Sequence, residues 1–179
     1  MTFDDRDIKI AGDKPSVDVR RNKVLDNAGL GANREKVRGA KLVGESVARK
    51  FIEDARGSLD ESFVDYNLLL QRRLLLSFTA TVGFEQYIPD ETLCGFAQKS
   101  FLDTVKKSDN ELYATSSDTG AFSFYYLAFR RGSEIERRIG QTFAMLCAHD
   151  GDPIFQELGE ALYCWFSSVV RESVSEHIK

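Results

Sequence analysis

Of the twenty aromatic side chains in this 179-residue sequence, nineteen lie after residue 50, and Phe3 alone precedes it. Aromatic rings bury the largest apolar area per residue, and such burial offsets the entropy lost when a backbone is fixed. A packed core is therefore expected over residues 58–179. Residues 1–33 mix charges with Gly12, Pro15, Gly29 and Gly31 and hold only isolated apolar pairs such as Val24-Leu25, the composition of a flexible arm. Residues 34–57 are intermediate, with Val37, Ala40, Val43, Val47, Phe51 and Ala55 recurring at helical spacing. Gly39 and Gly44 each lower helix stability by up to about 1 kcal/mol relative to Ala, so this stretch reads as a marginal amphipathic helix.

Charge divides the chain in a similar way. Residues 20–50 carry a net +6, from Arg20, Arg21, Lys23, Arg34, Lys36, Arg38, Lys41, Arg49 and Lys50 against three acids, whereas residues 51–179 carry −8. Affinity for nucleic acid comes mainly from neutralised phosphates, so the body lacks that footprint and only the basic segment offers it. The longest apolar-looking run, Ala121 to Phe129, is far short of the ~20 residues that cross a bilayer, and no membrane partner is expected. The acidic opening Met1-Thr2-Phe3-Asp4-Asp5 lacks the basic-then-apolar order of a secretory signal. Cys94, Cys147 and Cys164 are odd in number, far apart and set in apolar helical patterns, as reduced core thiols of a cytoplasmic protein would be.

From residue 58 the punctuation is helical. Ser58-Leu59-Asp60-Glu61 has the form of a capping box, and the helix it opens carries Leu59, Phe63, Tyr66, Leu70, Leu74, Phe78 and Val82, with leucine triplets at 68–70 and 74–76 that make it central. Gly83 and Pro89 bound the next connection. A helix from Pro89 or Asp90 ends near Lys106-Lys107, where cations suit the free carbonyls. The helix expected over residues 120–131 carries Ala121 to Phe129, which are apolar on nearly every face and are expected to be buried by several neighbours. Gly132 is placed as a left-handed stop, and Ser133-Glu134-Ile135-Glu136 repeats the capping box. Asp152 caps the last helix with Pro153 at its first position, and Ile154, Leu158, Ala161, Leu162, Trp165, Val169 and Val174 form its inner side. No stretch alternates as a strand does. The reading is all-α: an antiparallel helical bundle of about five main helices, preceded by the marginal helix and the flexible basic arm.

Enzymatic signatures fail on the inventory. His149 and His177 are the two histidines, and Leu146 and Val174 occupy the places three before them, which removes the Glu-x-x-His pairs of carboxylate-bridged di-iron bundles. His149-Asp150 resembles the dipeptide of the HD-type metal-dependent phosphohydrolases, but their site needs an earlier histidine that this chain lacks. Cys147-x-His149 has no second ligand pair nearby, Gly29-Leu30-Gly31 fails the dinucleotide fingerprint, and neither a phosphate loop nor a Gly-x-Ser-x-Gly turn occurs. No catalytic residue, metal or cofactor is expected.

The strongest remaining constellation is Arg130, Arg131, Arg137 and Arg138, which straddle a helix end and a helix start where guanidinium forks and free amides suit an anion. Arg72, between the leucine triplets, needs an acidic partner such as Asp65 or Asp118 if buried. Tyr125 and Tyr126 are the aromatic residues with a polar handle for a small-molecule pocket. The function expected from these features is that of a non-catalytic interaction or regulatory module with a protein partner. Nucleic-acid contact through residues 20–50, and small anionic-ligand binding or an enzyme domain at the arginine junction, are the alternatives.

Overall fold

The computed structural model describes residues 17–57, 65–116 and 119–178. Two compact units are distinguished, Met1–Glu35 and Lys36–Lys179. The described core, clefts and candidate side chains belong to the second. Residues 1–16 of the expected arm, the Ser58–Glu61 capping box, Phe63 and Asp118 lie outside the described residues.

The fold is all-α. Helix α1 spans Val17–Gly57, α2 Tyr66–Tyr87, α3 Glu91–Ser108, α4 Asn110–Ser116, α5 Ser123–Phe129, α6 Ile135–Leu146 and α7 Pro153–His177, with a 3₁₀ turn at Thr119–Phe122 before α5. No described helix is long and apolar enough to cross a membrane. Helix α1 begins upstream of the expected Arg34, and no proline interrupts residues 16–57.

Helix α2 is central, as its leucine triplets require: Leu74 to Ala80 and Val82 to Phe84 are buried without a break on any face. It does not stop at Gly83. The side chain of Val170 on α7 lies 3.0 Å from where a Cβ would stand at that glycine, so the missing side chain serves helix contact rather than termination. Gly83 with Val170 and Tyr87 with Ser167 place α2 and α7 antiparallel. By contrast, α1 and α3 run in the same sense, since Lys41 meets Ser100 and Arg56 meets Ser108.

The segment read as marginal is held along a whole face. Ala40, Val43, Val47, Ala48 and Phe51 are fully buried, and Phe51 meets Phe101 at 5.6 Å and Phe166 at 6.3 Å between ring centres. Its glycines are the physical reason: a Cβ at Gly44 would strike the Ala97 carbonyl oxygen, and one at Gly39 the His177 carbonyl oxygen. What glycine costs in helix propensity is offset by backbone approach to α3 and α7.

Helix caps follow the sequence at three places. Asp90 accepts from the amides of Thr92 and Leu93, Asp152 accepts from Ile154 with Pro153 at the first position, and Gly132 is left-handed at φ 72°. Elsewhere they differ. Asp65 caps α2, and Glu134 rather than Ser133 stands at the cap of α6, left-handed at φ 49° and without a side-chain cap bond. The second capping box therefore does not form. The inner face of α7 is also rotated from the expected one: Gly159, Leu162, Tyr163, Phe166, Val170 and Ser173 are buried, whereas Ile154, Ala161 and Trp165 are exposed. Gly159 sets that face by admitting the ring of Phe143 from α6.

Candidate functional site

The Arg130–Arg138 junction is a tight return between α5 and α6. Two of its residues, Gly132 and Glu134, take left-handed backbone, and this sends the four guanidinium groups to different places. Arg130 lies over the Tyr126 ring at 5.9 Å, and Arg137 pairs with the Glu134 carboxylate at 3.4 Å. Arg131 and Arg138 turn to one surface cleft of about 280 Å³. Arg138 also donates to the Ser133 hydroxyl at 3.4 Å.

The cleft has a simple helical origin. Phe124, Leu127, Ala128 and Arg131 from α5 and the turn after it, and Arg138, Gln141, Thr142 and Met145 from α6, line it together with Asp150. Each set is spaced i, i+3, i+4, i+7, the period of one helix face. Because the short connection reverses the chain, Arg131 and Arg138 share the closed end, while Phe124 and Met145 share the other. Seven residues at 1.5 Å rise separate the ends by about 10 Å. The groove thus grades from cationic to apolar, and Asp150 adds one acidic side chain to its lining. Phe124, Leu127 and Met145 are 53%, 62% and 42% exposed. The expectation that Ala121 to Phe129 are buried on nearly every face fails here: α5 is seven residues long, and neighbours bury Phe122, Tyr125 and Ala128 and partly cover Tyr126 and Phe129, while Phe124 and Leu127 stay exposed.

The remaining candidates lie elsewhere. Arg72 is bound in a two-point pair with Asp54 of α1, Nε to Oδ2 at 3.0 Å and Nη2 to Oδ1 at 2.6 Å, so neither Asp65 nor Asp118 is its partner in that pair. Tyr125 is fully buried and stacks on Phe78 at 5.3 Å, and its hydroxyl has no hydrogen-bond partner among the described residues. Burial, then the nearby Cys147, pushes the Tyr125 phenol far above its ordinary value. Tyr126 meets the same Phe78 edge-on at 5.1 Å; burial and Glu85 raise its phenol, against the lowering effect of Arg130. Neither tyrosine lines the cleft. Cys94 and Cys147 are buried thiols, but Cys164 is exposed, a consequence of the rotated face of α7. Among the described residues, no group of three His, Cys, Asp or Glu side chains is placed to hold a metal.

A second cleft of about 320 Å³ between α1 and α3 gathers Lys41, Lys99 and Lys107, with Glu45 and Asp103 among them. Lys41 lies over the Phe96 ring at 5.5 Å.

No protein-family model, no curated protein and no solved structure matches the chain.

Sequence reasoning found Arg131 and Arg138 but missed Phe124, Leu127, Met145 and Asp150. The signal for the α5 set was present in the 124, 127, 128, 131 spacing, and was masked because Phe122, Tyr125, Tyr126 and Phe129 around it are aromatic as well.

Proposed function

We propose that this protein is a non-catalytic interaction module whose α5–α6 cleft receives an apolar protein segment with carboxylates at one end. One observation carries the reading: two guanidinium-bearing side chains and three exposed apolar ones line a single groove, with the arginines at one end and Phe124 and Met145 at the other. Arginine, methionine and aromatic residues are the types enriched where proteins meet, and arginine forks match carboxylates in two-point geometry. An anion bound without an apolar body leaves Phe124 and Leu127 in water, and an apolar segment without acid leaves the arginines unmatched, so the chemistry favours both on one ligand.

The test is selection of peptides from a random display library on the full chain, followed by affinity measurement. Selected sequences are expected to place acidic residues beside two or three large apolar ones. Arg131→Glu with Arg138→Glu should weaken them by at least about tenfold, with helicity and melting unchanged. Peptides without acids, or with equal affinity for the double variant, would refute the assignment.

A second reading, nucleic-acid contact through residues 20–50, draws on Lys41, Lys99 and Lys107 sharing one cleft. Glu45 and Asp103 line the same cleft and offset two of those charges, which weakens it. Binding to random DNA that falls steeply as salt rises is its signature.

A further inference from the structure

The body holds a third recess, about 170 Å³ and partly open to the surface, which shares no residue with the α5–α6 cleft. Its walls are the rings of Phe84 on α2, Phe101 on α3 and Phe122 before α5. These rings cannot easily close on one another, because Phe101 meets Phe84 edge-on at 6.0 Å and is braced by Phe51 on another side. An apolar cavity of about 150 Å³ is enough to take up benzene. The space therefore matches one six-membered ring.

Its polar groups narrow the choice. Thr81 and Ser116 line the cavity, and both hydroxyl protons are already donated, from Thr81 to the Ser77 carbonyl at 3.1 Å and from Ser116 to the Leu112 carbonyl at 2.8 Å. What these hydroxyls retain is the capacity to accept. Gln98 adds a carboxamide, which can accept or donate, and no lining residue is charged. An ionised ligand would be desolvated there without a counter-charge, which is costly. We propose that this cavity is a binding site for a neutral single-ring aromatic molecule carrying one O–H or N–H donor, the phenol type.

The full chain is titrated with phenol and, separately, with toluene, followed by amide NMR. Toluene has the same number of heavy atoms and is harder to hydrate, so a wholly apolar hole would prefer it. Phenol is expected to give saturable shifts at the amides of Thr81, Phe84, Gln98 and Phe101 with a dissociation constant of about 1 mM or tighter, and to bind at least as tightly as toluene. Its ring protons should show proximity signals to Phe84, Phe101 and Phe122. Leu102→Trp, which fills the half-buried lining position on α3, should weaken phenol by about tenfold or more. No saturable shift up to about 10 mM overturns the site. Proximity signals to other residues do the same, and tighter toluene binding overturns the donor requirement. If Leu102→Trp does not fold, the proximity signals in the natural chain decide the question.

Discussion

Cys147 and Tyr125 are two buried acids that the fold keeps in their neutral forms. Cys147 is 2% exposed, and burial, with a smaller contribution from the Asp65 charge, pushes its thiol from 9.0 up to about 11. Tyr163 is pushed the same way, from 10.0 to about 12, by burial first and then by Glu136. For an acid whose folded value is raised, the folded state holds its proton more tightly than the unfolded state. The stabilisation is then complete below the unfolded value and is lost as pH rises through the folded one. Between pH about 9 and 10.5 the natural chain should lose about 1–2 kcal/mol more stability than Cys147→Ala, measured by urea unfolding at each pH. Parallel pH profiles for the two proteins would show that the thiol is not held neutral by the fold. The Arg72–Asp54 pair is a different kind of residue-scale feature. Its side chains are 28% and 12% exposed, so its two-point geometry joins α1 to α2 in a partly dry place.

Glycine carries opposite meanings in two helices, and this decides a prediction at the scale of elements. A Cβ at Gly140 on α6 would strike the Gln156 carbonyl oxygen and lie 3.2 Å from the Glu160 nitrogen of α7, and backbone cannot turn aside as a side chain can. Gly95, exposed within α3, has nothing within 4 Å of the same position. Helix propensity alone favours alanine at both by up to about 1 kcal/mol. Gly95→Ala is expected to stabilise by about 0.5–1 kcal/mol and Gly140→Ala to destabilise by about 1–3 kcal/mol, read from urea midpoints. A change of the same sign at both would sink the account of α6–α7 packing. The pair also shows what was legible in the sequence. Stops and caps that act locally, at Asp90, Gly132 and Asp152-Pro153, could be read because their partners are a few residues away. Gly39, Gly44 and Gly83 were misread because the atoms that need their missing side chains belong to distant helices. The inner face of α7 was missed for the same reason: Gly159 and Ser173 count as neutral in an apolar pattern, yet both are buried. At the cleft, the charges were legible and the grading from arginine to phenylalanine was not, since it arises only when α6 is folded back along α5.

For the whole molecule, the question is how much of the chain the core requires. The sequence reading places the core over residues 58–179, yet Val43, Val47, Ala48 and Phe51 are fully buried in it, and Phe51 joins Phe101 of α3 to Phe166 of α7. Removing one buried phenylalanine side chain costs about 3–5 kcal/mol, against total stabilities of about 5–15 kcal/mol for a domain. A chain beginning at Ser58 loses that ring, the valines beside it and the Asp54 partner of Arg72 together. Those losses match or exceed the whole stability available, whereas a chain beginning at Lys36 keeps every one of these contacts. Residues 36–179 are therefore expected to melt cooperatively. Residues 58–179 should retain helical far-ultraviolet dichroism while losing the near-ultraviolet signal of fixed aromatic rings and binding a hydrophobic dye, the signs of packing lost with helices kept. A cooperative melt of residues 58–179 within a few degrees of the longer chain would mean that the face of α1 is covered by the core without supporting it.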